Sequence, residues 1–227
     1  MRWMMIVVVM LAAPAFAEET GRIVVSGEGQ ISAVPDMAVV RMGVTAEAKG
    51  ARDAMAQVSE TMTRVQQVLG AAGIEARDIQ TTSLQLNPRW DNGPRNNGQT
   101  PKITGYLAEN GISVRVRDLA GLGDVLGAVV TDGANQFRGL SFDIAEPEPL
   151  LDEARRAAVA AARAKAELLA DAAGVSLGKL IEMREGGSPA PMPMMAEMRT
   201  SADSFSAPVA QGEMTLSATV MMVFAIE

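Results

Sequence analysis

The chain contains no cysteine and no histidine. Disulfides are excluded, and with them thiol catalysis, imidazole acid–base chemistry and Cys/His metal sites, the arrangements on which most enzymes and zinc proteins depend. Aromatic residues are scarce: two Trp, one Tyr and five Phe in 227 residues. The core must therefore be built from Val, Leu, Ile, Ala and Met, and the sixteen methionines supply adaptable packing. Positive charge is also in deficit, with 20 Lys and Arg against 27 Asp and Glu and a net charge of −7. An acidic surface repels phosphate backbones and anionic headgroups, so nucleic acid is not expected as a partner and charged membrane surfaces are disfavoured.

What is present first is an address. Arg2 precedes an apolar stretch from Trp3 to Ala13, and Ala15-Phe16-Ala17 places small residues where signal peptidase cuts. Residues 1–17 are read as a secretory signal peptide, cleaved before Glu18. The apolar stretch falls short of the ~20 residues of a membrane-spanning helix, and a lipid anchor would need a cysteine at the cut. The mature chain, 18–227, is expected in the periplasm with no integral membrane segment. Its length is enough for one sizeable core or two small ones.

Hydrophobic periodicity divides the mature chain into strands and helices. Arg22–Ser26 alternates and is closed by Gly27-Glu28-Gly29, read as a turn into a second strand, Met37–Ala46. The glycines do not make a nucleotide-binding loop, because no third glycine and no helix follow. From Gly50 to Ala72, Ala51, Met55, Val58, Met62, Val65 and Leu69 recur at spacings of four and three, a helical stripe stopped by Gly73. Ile79–Leu86 is a strand with Leu84 and Leu86 inward, and residues 87–101 form an exposed loop in which Trp90, Arg89 and Arg95 are candidates for a recognition tip.

A strand within Ile103–Arg117 leads to Asp118, a helix cap, and then to a helix with Leu119, Leu122, Leu126 and Val129 on one face. Phe137–Ile144 returns as a strand. A third helix follows Pro147 and Pro149, with Leu150, Ala154, Ala157, Ala161, Ala164 and Leu168 as its stripe and Gly174 as its stop. Leu180–Glu185 and Glu213–Ile226 are the last strands. Short matches such as Val68-Leu69-Gly70 with Val125-Leu126-Gly127 fit either a strand-helix-strand unit used more than once or chance convergence of helix ends. The fold class is α+β: mixed β-sheets with about three helices packed on them.

Chemistry has few footholds. Residues 186–212 read as a Pro/Met-rich flexible insertion, in which Met192, Met194, Met195 and Met198 are the only soft ligands available and suit Cu(I). Compositional drift accounts for the same run. Glu146, Glu148, Asp152 and Glu153 cluster, but acidic residues at a helix start are what its dipole favours. No catalytic, cofactor-binding or metal-ligating residue is assigned, and no cofactor is expected.

Several segments resemble one family. Val25-Ser26-Gly27-Glu28-Gly29 followed by Pro35-Asp36, then Val114-Arg115-Val116-Arg117-Asp118-Leu119, Gly133-Ala134-Asn135, Gly139-Leu140-Ser141-Phe142, Ala164-Lys165-Ala166-Glu167, and the run from Ala172 to Lys179 are similar, in this order, to the SIMPL-domain proteins. The resemblance implies an α+β fold, export to the periplasm, self-assembly into rings or channel-like oligomers in some members, and a loose link to stress tolerance. It carries no catalytic residues. The expected function is non-enzymatic self-assembly into a homo-oligomer, in which the alternating strands at the two ends of the mature chain would, if they lie at sheet edges, offer backbone groups to be covered or paired with another subunit. The alternative is a binding module that captures a partner or Cu(I) through the Met-rich segment or the Trp90 loop.

Overall fold

A computed structural model of the chain describes residues 21–91, 101–186, 192–194 and 210–227, the third of these as backbone alone. The signal peptide, Arg95, Met195 and Met198 lie outside the described residues. The fold is α+β, and the described chain forms two compact units: residues 30–152 with the start of the last strand, and residues up to 29 with 153–188 and 218–227.

The larger unit is built from β2 (Met37–Ala48), α1 (Ala51–Ala71), β3 (Ile79–Trp90), β4 (Ile103–Val116), α2 (Leu122–Thr131) and β5 (Gln136–Asp143), in the sheet order β3-β4-β2-β5. All three pairs are antiparallel. Two strand-helix-strand units, β2-α1-β3 and β4-α2-β5, therefore interleave, which is the split βαβ arrangement of ferredoxin-like folds. That interleaving is the physical form of the internal repeat seen in the sequence. Even-numbered residues of β2 and β4, among them Val40, Met42, Ile112 and Val114, are buried against Val58, Met62, Val65 and Leu69 of α1 and Leu122, Val125 and Val129 of α2.

The stripe of α1 falls where its spacing predicts, with Ala54 taking the place of Ala51 at the buried start. Gly73 ends it at φ +83, a conformation that costs glycine nothing and other residues strain. Asp118 caps as expected but one turn early: its Oδ1 accepts from the amides of Ala120 and Gly121 at 3.1 and 3.4 Å, ahead of the first residue of α2.

The smaller unit centres on α3 (Glu148–Ala173) from Glu153 onward, with β1 (Arg22–Ala33) up to Gly29, β6 (Leu177–Glu185), and β8 (Glu213–Ile226) from Ala218. The strand order is β1-β8-β6. Ile23, Val25, Val220, Met222 and Phe224 pack with Ala158, Ala162, Ala166 and Ala170. Lys165 donates from Nζ to the Ser26 carbonyl at 2.7 Å, and Arg155 pairs with Glu185 at 2.8 Å.

Several expectations are corrected. β1 and β2 do not form a hairpin, because they belong to different sheets, and β1 runs straight through Gly27-Glu28-Gly29 with no turn. Of the two end strands whose pairing between subunits required an edge position, β1 is at an edge among the described residues and β8 is interior. The buried stripe of α3 is Ala154, Ala158, Ala162, Ala166 and Ala170, not the one through Ala157, Ala161, Ala164 and Leu168. In a helix with apolar residues on several faces, the face that packs is the one whose side chains are uniformly small. Residues Asn87–Trp90, read as the start of a loop, continue β3 in register with β4, where Trp90 opposes Ile103. Within the segment read as a flexible insertion, β7 (Met192–Met194) pairs with β8.

Candidate functional site

The residues that carry the family resemblance hold the fold. A Cβ on Gly27 would lie 2.1 Å from the carbonyl oxygen of Ala158, and one on Gly29 would lie 2.1 Å from that of Ala154. Bare glycine backbone on β1 and alanine on α3 thus let strand and helix approach more closely than larger residues permit. Asn135 uses both ends of its amide on one partner: Oδ1 accepts from the Thr45 amide and Nδ2 donates to the Thr45 carbonyl, each at 2.8 Å. Gly133, at φ +111, turns the chain into that position, where a Cβ would meet Thr61.

Arg117 donates from Nε and Nη2 to the two carboxylate oxygens of Asp78, both at 3.0 Å, and Arg115 lies 3.5 Å from the same group. Asp78 is 4% exposed and sits in a short 3-10 turn between α1 and β3. The hydrogen bonds from Arg117 hold its carboxyl below the ordinary carboxylate range, against the opposing effect of burial, with the charges of Arg117, Arg115 and Arg77 adding in the same direction as the hydrogen bonds. In the sequence Arg117 only closes a strand. Its partner lies 39 residues away, and no local pattern connects the two.

On the sheet face away from α1 and α2, Arg138 reaches Glu109, which also accepts from the Ser83 hydroxyl at 3.4 Å. Gly111 leaves the space for this cluster, since a Cβ there would fall 2.5 Å from the Ser83 Oγ. The group is internally satisfied, and its charges neutralise one another.

The feature without an evident structural purpose is the hairpin of β3 and β4. Leu84, Leu86, Pro88 and Trp90 oppose Asn110, Ala108, Tyr106 and Ile103 in the register. Asn110, Ala108 and Tyr106 are even positions of β4, as are the buried Ile112 and Val114 farther along, and a register shift at Arg89–Trp90 brings Ile103 opposite Trp90. The inward orientation expected of Leu84 and Leu86 is thus correct in direction, but α1 lies over β2 and β4 and barely meets β3. Leu84 is 59% exposed, Trp90 49%, and Leu86 and Ile103 are also exposed. A bulge at Thr81–Ser83 keeps the leucines on the helix side of the sheet while the strand runs out beyond its cover. Beside Leu84, the Oδ1 of Asn110 is buried and has no hydrogen-bond partner among the described residues. The hairpin presents a contiguous apolar strip with one unsatisfied acceptor.

Arg89, next to Trp90, pairs with Glu47 at 3.7 Å, on the opposite face from the apolar strip. Met192 and Met194 are in β7. Glu148 stands in the first turn of α3, and among the described residues no three carboxylates converge in a way that would hold a metal ion. Among them also, no helix is long and apolar enough to cross a membrane.

Comparison with known proteins gives a consistent picture. The family described as SIMPL, protein of unknown function, matches residues 23–224. The chain is 42% identical to a 26 kDa periplasmic immunogenic protein of Brucella melitensis, covering 94% of this chain and 90% of that protein. It is 31% identical to the uncharacterised protein YggE of Escherichia coli, over 82% of this chain and 74% of that one. Neither name is that of an enzyme.

Proposed function

The chain belongs to the SIMPL family and is a periplasmic protein, and we propose that it works there without catalysis, by associating with further copies of itself through the β3–β4 hairpin. The observation that carries this reading is the exposed strip of Leu84, Leu86, Trp90 and Ile103 on a face that is core elsewhere in the same sheet. Contiguous apolar surface of this kind marks an interaction site. Among the described residues β3 is also a terminal strand of its sheet, with an unpaired backbone row that a neighbouring subunit covers. A second copy supplies the apolar cover that the leucines require. Association by a repeated contact accommodates the closed assemblies that the family resemblance implies.

The test places charge in the contact. Leu84→Glu combined with Leu86→Glu lowers the native mass measured by sedimentation, while the far-ultraviolet circular dichroism stays unchanged. Leu168→Glu, at a still more exposed leucine on α3, leaves the mass where it was. If the paired substitution leaves the mass unchanged, the hairpin is not the contact.

A further inference from the structure

At the other margin of the larger unit, β5 is, among the described residues, the terminal strand beside β2, and the second half of α2 comes near its first residues. Between them lies a cavity of about 430 Å³ lined by Met42, Leu126, Val129, Val130, Ala134 and Phe137, together with Asn135 and Gln136. Val130 is 62% exposed and Phe137 59%, so two large apolar side chains form its rim in water. Phe137, Leu140 and Phe142 all oppose core-facing residues of β2, namely Met42, Val40 and Ala38, which carries the apolar lining along the strand.

We infer that this groove binds an extended, uncharged polypeptide segment, which adds as a strand to β5 and places one Leu-, Met- or Phe-sized side chain in the cavity. Three observations select that occupant. Among the described residues the lining contains no charged side chain, so a fatty acid carboxylate or a lipid phosphate finds no counter-charge there. The polar group best placed to hold a small ligand, the Asn135 amide, is spent at both ends on Thr45. Gln136 accepts from Arg138 through its Oε1, and the outer backbone row of β5, unpaired among the described residues, is what an extended peptide matches with its own amides while a side-chain pocket supplies specificity.

The edge is also unguarded on this side. Terminal strands are ordinarily protected by charge, and Arg138 is the charged residue in the middle of β5. It sits at a bulge, where the β2 partners pass from Gly139 to Phe137, and its guanidinium is drawn to the opposite face by Glu109 and Gln136. The bulge therefore removes the charge from the groove while leaving Phe137 at its mouth.

The probe is a fluorescein-labelled, end-blocked peptide, Thr-Leu-Thr-Phe-Thr-Leu-Thr, titrated with the mature protein by anisotropy. Saturable binding is expected, weakened about tenfold or more by Val130→Asp and by Phe137→Ser, because each removes an apolar contact that the peptide buries. Methylating alternate peptide amides in one of the two phases abolishes binding, and the other phase is tolerated. Failure to saturate at millimolar protein, or binding indifferent to both variants, overturns the inference. So does binding of dodecanoic acid in place of the peptide. A fall in native mass in Val130→Asp without peptide binding also overturns it, by showing that the groove is a contact between copies. None of these outcomes depends on the hairpin, whose own variants leave peptide binding intact.

Discussion

Asp78 shows how one side chain ties distant segments together. Its carboxylate bridges the turn after α1 to Arg117 just beyond β4, and both arginines stay about half exposed to water. Asp78→Asn is expected to lower stability by about 1–2 kcal/mol in urea unfolding, the modest end for a hydrogen-bonded ion pair because its cations remain solvated. The pH dependence has a definite sign. The folded carboxyl titrates below its ordinary value of 3.8, so the stabilisation is complete above that value and is lost as pH falls through the lower, folded-state value. The stability difference between wild type and Asp78→Asn is therefore constant near neutrality and shrinks in strong acid; a difference that grew on acidification would contradict the assignment. The arginine was visible in the sequence, but its role was not, because a bridge across 39 residues leaves no periodicity.

At the scale of elements, β1 and α3 are defined by what their residues lack. Gly27→Ala is expected to cost about 3 kcal/mol or more, because the clash is with helix backbone and no rotamer relieves it. Leu168→Ala, on the exposed face of α3, should stay within about 0.5 kcal/mol. Thermal unfolding of both separates the packed face from the solvated one, and equal effects would mean the face is misassigned. The contrast explains which elements were legible. In α1 large apolar residues stand out against polar ones and the stripe reads directly. In α3 alanine occurs on every side, and which alanines are buried is decided by the glycines of β1, more than a hundred residues earlier. Glycines with no side chain to pattern read as a turn, although their purpose was to admit a helix.

For the whole molecule, the α+β class, the three helices and most strand positions follow from periodicity, whereas sheet order does not. Alternation in β1 and β8 shows that each has one buried face, but it holds equally for an edge and an interior strand. The hairpin was half legible for a related reason. The alternation of Leu84 and Leu86 fixes the side of the sheet they occupy, but whether a helix extends over that side depends on where α1 lies. The uncovered strip is a property of the assembled fold, and it leads to the central claim that this chain exists to associate. The most direct measurement is the mass of the native particle, by multi-angle light scattering of the mature protein at tens of micromolar. A discrete multiple of the single-chain mass is predicted. A single-chain mass at that concentration would contradict the account.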